Sequence, residues 1–166
     1  VDPSFEAAGS EVYALAQKDW LRFGVSKLTA WSIPSGGSIT TEMAKTGRRC
    51  AKVVNKVGEY TLFTQRLSLA QFPPNSKVRL SAWLKGENIQ RGDQNWKAAT
   101  LDLSVQRKDG RWEHRAVAFL DGTFDWRKVE GVVEIPSDAV ALMVRVGLNG
   151  ATGILWIDDV QVEVVR

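Results

Sequence analysis

The sequence predicts an all-β sandwich, and three observations predict it. Apolar and polar residues alternate along most of the chain, the period of strands with one buried face. Turn-forming clusters recur at the spacing of short strands: Pro34-Ser35-Gly36-Gly37, Phe72-Pro73-Pro74-Asn75, Lys108-Asp109-Gly110, Asp121-Gly122 and Asn149-Gly150. Helical periodicity is nearly absent; the best stretch, 9–21 with Tyr13, Ala14, Leu15 and Ala16, is short.

The elements follow in order. Pro34–Gly37, Gly47 and Gly58 mark turns in the first third of the chain. Segment 77–85 reads as a strand with Val78, Leu80, Ala82 and Leu84 on one face. Segment 100–106 is another, with Leu101, Leu103 and Val105 together. Lys108-Asp109-Gly110-Arg111 then predicts a hairpin turn. Segments 140–148 and 154–165 close the chain, the last with Val160, Val162 and Val164 on one face. About eight to ten strands result, the spacing of a sandwich or barrel. With no internal repeat or Pro-rich linker, the 166 residues are read as one domain, 1–166. The chain opens on Val1 without a basic-then-apolar leader, and is read as a module excised from a longer secreted protein.

Composition bounds the function. At 44% hydrophobic and 25% charged residues, the chain can bury a core, which excludes disorder. No apolar run approaches the ~18 residues of a membrane span. A net charge of +3 leans slightly toward an acidic partner but lacks the dense basic clustering of a nucleic-acid binder. One Cys and one His exclude an intramolecular disulfide, a Cys-rich zinc cluster and a multi-histidine site within the chain. Cys50 is read as a small buried hydrophobe. His114 is read as a solvated strand residue. Phosphate-loop, nucleophile-elbow, zinc-protease and dinucleotide signatures are missing. Carboxylate pairs exist in any chain with 19 acids, so no catalytic set is predicted.

Seven Trp stand against two Tyr, more rings than one core needs. Trp31, Trp96 and Trp112 lie in polar, turn-rich surroundings. Large rings left exposed mark recognition surfaces, although loop rings also serve as local anchors. An indole can lie flat against the apolar C–H face of a pyranose, whose hydroxyls then need fixed polar partners. Trp31, Tyr60 and Trp96 are the leading platforms, with Gln106, Arg145 and Asn149 as polar selectors and Gln65 as a further candidate. Arg145 and Asn149 share a parity opposite Val144, Val146 and Leu148, so they are expected together on the outer surface of one sheet. Trp20 is equally compatible with core and site.

Asp158 shares parity with Val160 and Val162, which points its carboxylate toward the apolar side. A buried carboxylate must be paired, protonated or bound to a cation. Ca²⁺ is the natural ion for hard oxygen ligands, and backbone N–H groups are the alternative partners.

Several segments together resemble a family. Asp2-Pro3-Ser4-Phe5-Glu6, the run from Lys45 through Gly47 to Val53, Val78-Arg79-Leu80-Ser81-Ala82-Trp83-Leu84-Lys85, Thr123-Phe124-Asp125-Trp126 and Trp156-Ile157-Asp158-Asp159-Val160 occur in the order found in the jelly-roll carbohydrate-binding modules of families four, nine and twenty-two. These belong to the galactose-binding-like superfamily. The long 85–98 segment departs from the pattern. The resemblance implies a jelly-roll β-sandwich of two antiparallel sheets and a sugar site. It implies a structural Ca²⁺ held by Glu6, backbone near Gly47, and Asp158. It places Trp83, Trp126 and Trp156 at core positions.

The resulting expectation is a noncatalytic, secreted module. It binds a polysaccharide or oligosaccharide and targets a covalently linked glycoside hydrolase or lyase, with neither nucleic acid nor membrane as partner. A protein-interaction or adhesion sandwich, a glycan-degrading enzyme domain and a single-stranded nucleic-acid binder are the competing readings.

Overall fold

A computed structural model describes residues 31–165. They form nine strands: β1 Gly37–Thr40, β2 Cys50–Asn55, β3 Tyr60–Leu67, β4 Lys77–Gln90, β5 Ala99–Arg107, β6 Trp112–Leu120, β7 Gly122–Glu134, β8 Ala139–Asn149 and β9 Thr152–Val165. No helix occurs among the described residues. The short helical stretch expected at 9–21, Trp20 and Glu6 lie outside them.

The strands build two antiparallel sheets. One has the order β1-β2-β9-β4-β7 and the other β3-β8-β5-β6. Alternation sets what lies between them. Val78, Leu80, Ala82 and Leu84 of β4 and Leu101, Leu103 and Val105 of β5 are buried in one core with Val144, Val146 and Leu148 of β8. Each of these Val and Leu side chains contributes about 1.5–3 kcal/mol by leaving water. The β5–β6 hairpin turns at Asp109-Gly110. Gly110 adopts φ +89°, and its N–H donates to Arg107 O at 2.9 Å.

Two expectations need correction, one from parity and one from the resemblance. Along β9, Leu155 and Ile157 face the core and so does Val160, three residues further on. The register against β4 slips between Ser81↔Gln161 and Trp83↔Asp158. Asp159, at φ +48°, takes up the extra residue of this bulge. Asp158 is therefore turned to the outer side of the five-stranded sheet, opposite Trp83, instead of inward with Val160. It is nevertheless fully buried, because the 41–49 segment crosses over it.

Trp83, Trp126 and Trp156 share that outer side. None belongs to the core between the sheets. Trp156 is buried there, with Lys52 Nζ 5.6 Å from its ring centroid. Trp83 is half-buried, with Lys45 Nζ 4.4 Å from its ring. Trp83 and Trp156 are structural in the sense of being covered, but they are covered by lysine side chains.

Candidate ligand-binding groove

The outer face of the four-stranded sheet carries the other parity of the same strands. β8 presents Met143, Arg145, Gly147 and Asn149 there. β5 presents Thr100, Asp102, Ser104 and Gln106, and β6 presents Trp112, His114, Ala116 and Phe119, as the cross-strand pairs Ser104↔His114 and Gln106↔Trp112 require. Tyr60 opens β3 opposite Asn149. From Ala98 to Gln106 this face runs about 26 Å at the ordinary rise of a strand.

At one end the face deepens into a cavity of about 540 Å³, lined by Tyr60, Trp96, Asp102, His114, Ala116, Phe119, Arg145 and Asn149. Trp96 comes from the 91–98 loop. The rings of Tyr60 and Trp96 are nearly parallel, at 10°, with centroids 6.5 Å apart. Both are accessible, at 64% and 41% exposure. The loop that carries Trp96 is braced: Lys97 pairs with Asp93 at 2.6 Å, and Arg91 with Asp121 at 2.9 Å. Lys97 Nζ also lies 5.5 Å from the Trp96 ring centroid. The long segment that departs from the family pattern therefore supplies a fixed aromatic wall.

The floor is polar and wired together. Arg145 Nε and Nη2 donate to Asp102 Oδ1 and Oδ2 at 2.9 and 2.6 Å, a two-point ion pair. Ser104 Oγ lies 3.0 Å from Asp102 Oδ1 and 2.7 Å from His114 Nδ1. Burial, and after it the neighbouring Arg145 charge, holds the His114 pKa below its ordinary value, against the opposing pull of Asp102. The imidazole is neutral at pH 7, so the cavity carries one compensated ion pair and no surplus charge. Gly147 lies between Arg145 and Asn149. Its φ of +154° brings it so close to β3 that an added Cβ would strike Thr61 O, so the floor has no side chain at this point.

Four of the six residues expected to bind ligand fall on this face near the cavity or in its wall: Tyr60, Trp96, Arg145 and Asn149. Gln106 shares the face but sits at the far end beside Trp112, its Nε2 donating to Gly110 O at 3.4 Å. Trp31 is a correction. It is 6% exposed and packs into the hydrophobic core, where a ring gains more by leaving water than by waiting for a ligand. Trp31 and Gln65 line a different cavity of about 290 Å³ with Leu67, Phe72 and Val160. Asp102, Ser104, His114 and Phe119 are not among the residues expected from sequence, although Asp102 and Ser104 share with Gln106 the parity opposite Leu101, Leu103 and Val105.

Asp158 does not lie in the groove. Its Oδ2 accepts from Lys45 N and Thr46 N, each at 2.9 Å, and its Oδ1 accepts from Asp159 N at 2.8 Å. Burial pushes its pKa up while these three donors pull it back. The N–H groups supply the partial positive charge that a cation would otherwise supply. Gly47 stands at φ +62° in the same turn. Among the described residues no cluster of three or more Asp, Glu, His or Cys could hold a metal ion. Cys50 is buried close by, its Sγ 3.1 Å from Met43 O. Burial, foremost, and the Asp158 charge push its pKa up to about 12, which leaves it an inert thiol.

No family model matches the chain, and no curated protein sequence matches it. Solved structures do match in fold. A xylan-binding domain of carbohydrate-binding module family 22 superposes with a TM-score of 0.68 at 16% identity, covering 99% of this chain and 93% of that one. The C-terminal family 22 carbohydrate-binding module of a Clostridium thermocellum protein, studied for residues of its cleft in ligand binding, gives 0.69 at 15% identity, covering 99% and 91%. The family 22 and catalytic modules of a Clostridium thermocellum endo-1,4-beta-D-xylanase, complexed with xylohexaose, give 0.58 at 16% identity, covering 82% of this chain and 26% of that one. The jelly-roll sandwich expected from sequence is the fold these structures share.

Proposed function

We propose that this chain is a noncatalytic module that binds a neutral, xylan-like polysaccharide in the groove of its four-stranded sheet. One observation carries the reading: the accessible, near-parallel rings of Tyr60 and Trp96 stand over a floor of mutually hydrogen-bonded polar side chains. Stacked rings take the C–H faces of sugars, and the fixed donors and acceptors beside them take the hydroxyls. The compensated Asp102–Arg145 pair favours an uncharged ligand, despite the small positive net charge. One solved structure of this fold is a xylan-binding domain, and another places the fold beside the catalytic module of a xylanase complexed with xylohexaose, which supports the choice of polymer.

Catalysis finds no footing in this groove. Glycoside hydrolysis ordinarily uses two carboxylates flanking the bond. Asp102 is the single carboxylate lining the cavity, and both its oxygens are held by Arg145. The module is proposed to act in the extracellular space, attached to a polysaccharide-degrading enzyme, as the family 22 module of the xylanase is attached to its catalytic partner. Calcium is proposed as the resemblance implies it, with Glu6, backbone carbonyls near Gly47 and Asp158 as ligands; Glu6 lies outside the described residues, and the three N–H groups that Asp158 accepts are the competing partners of its carboxylate. A melting temperature raised by calcium in the wild type and unmoved in Glu6→Gln supports this; a wild type insensitive to chelator overturns it.

The function is tested by calorimetry with xylohexaose and soluble xylan, with cellohexaose and an oligouronate as controls. Xylohexaose binding without release of reducing ends is the expected result. Failure of every glycan to bind removes the reading and leaves an adhesion or protein-interaction sandwich in its place.

A further inference from the structure

One proton decides how the groove floor is wired. Asp102, clamped by Arg145 at both oxygens, can only accept hydrogen bonds. Ser104 Oγ stands between Asp102 Oδ1 and His114 Nδ1, within reach of both. A hydroxyl has a single proton to give, and a carboxylate is the stronger acceptor. Ser104 therefore donates to Asp102 and must accept from His114. This places the proton of the neutral imidazole on Nδ1 and leaves the lone pair on Nε2. The ring is exposed and lines the cavity, and among the described residues no hydrogen bond engages Nε2.

We propose that His114 Nε2 is the acceptor for a ligand hydroxyl, and that the Asp102–Ser104–His114 relay makes the affinity of the groove depend on pH. The inference rests on the glycan reading above. Arg145 can only donate, so the floor offers a donor and, through Nε2, an acceptor to the same ligand. Adjacent hydroxyls of an uncharged sugar match that pair: one accepts from the guanidinium and the other donates to the imidazole. Protonation of the ring replaces the acceptor with a second N–H and adds a positive charge next to Arg145.

The charged groups that face His114 are few. Asp102 faces it from β5 and Arg145 from β8. Glu113 and Arg115 flank it on β6 but turn to the opposite side of the sheet, paired with each other at 3.1 Å. β6 is the edge of its sheet, and β7 packs beside it with Arg115 Nη1 donating to Glu134 O; the charges that act on His114 are those of Arg145 and Asp102. Burial and Arg145 lower the ring's pKa, which keeps the acceptor form through neutral pH.

Two measurements test this. Ring-nitrogen NMR of the ligand-free protein should show the Nδ1–H tautomer, and the Nε2–H tautomer in the wild type overturns the relay. Ser104→Ala, which removes the positioning hydroxyl, should release the tautomer preference. Xylohexaose calorimetry from about pH 8 down through the pH at which the same NMR measurement shows the ring protonating should show affinity falling about fivefold, the worth of one hydrogen bond. His114→Gln, whose amide does not titrate, should bind with a flat profile over that range. A flat wild-type profile, or a fall that survives in His114→Gln, overturns the proposal. An Nδ1–H ring with no xylohexaose binding at any pH overturns the ligand role and the glycan reading while leaving the relay in place, so the two failures are told apart.

Discussion

Arg145 on β8 holds both carboxylate oxygens of Asp102 on β5, at 2.9 and 2.6 Å, in a pair whose side chains are 14% and 2% exposed. The two residues sit directly across the strand boundary, so one ion pair both ties the sheet and sets the polarity of the groove. Removing a single partner strands a buried charge, a loss of about 3–5 kcal/mol in comparable cases. Arg145→Ala should fall in that range by urea denaturation. The double variant Asp102→Asn, Arg145→Met should lose less than the single one, because neither charge then remains unpaired.

Trp96 and Trp31 should respond in opposite ways. Trp96→Ala removes an accessible wall, and by analogy with interface hot spots at ~2 kcal/mol should weaken xylohexaose binding about thirtyfold. Its melting temperature should stay near that of the wild type. Trp31→Ala empties a core position and should destabilise by about 3–5 kcal/mol. Its affinity, measured where it remains folded, should be unchanged. Thermal melts paired with calorimetry separate the two outcomes.

Trp112 shares the groove face but stands beside Gln106, away from the cavity, at 37% exposure. A short ligand held at Tyr60 and Trp96 should not reach it. Trp112→Ala should leave xylobiose or xylotriose binding unaltered and weaken binding of long xylan chains severalfold. Equal losses for both lengths would mean the ligand does not follow the strand direction.

Stability should fall on mild acidification through His114. The folded-state pKa is lowered, with burial as its first cause, so the unfolded chain takes up a proton at a higher pH than the folded one. The contribution is fully present above the ordinary histidine pKa of about 6.5 and is lost as pH falls toward the lowered folded value. Melting curves across that window should show the decline, and His114→Gln should flatten it. Asp93, Asp109, Glu113 and Asp125 also have lowered pKa values, from their hydrogen bonds and cationic neighbours, but they titrate below this window.

What could be read from sequence follows from what is local. Alternation placed Arg145 and Asn149 on one surface because β8 runs without a bulge between them. The same alternation failed at Asp158, where Asp159 takes a left-handed conformation that nothing in Trp156-Ile157-Asp158-Asp159-Val160 announces. Trp31 and Trp96 have equally polar neighbours in sequence. Their burial is decided by the segments that pack over them, which no local pattern records. His114 was readable as a strand residue, but its role depends on Ser104 across the β5–β6 pair and on Asp102 two residues away on β5. An isolated histidine in a sequence carries no sign of a relay.

The strand order β3-β8-β5-β6 gives the groove a temporal character. Tyr60, Arg145, Asp102 and His114 come from four different strands, and only β5 and β6 are joined by a tight turn. The remaining neighbours close loops of many residues, the kind of pairing that forms late and slowly in all-β chains. No partly assembled sheet can offer half a platform and half a floor. Recovery of ligand binding during refolding is thus a clock for completion of the four-stranded sheet, and a chain interrupted in any of those four strands loses recognition altogether.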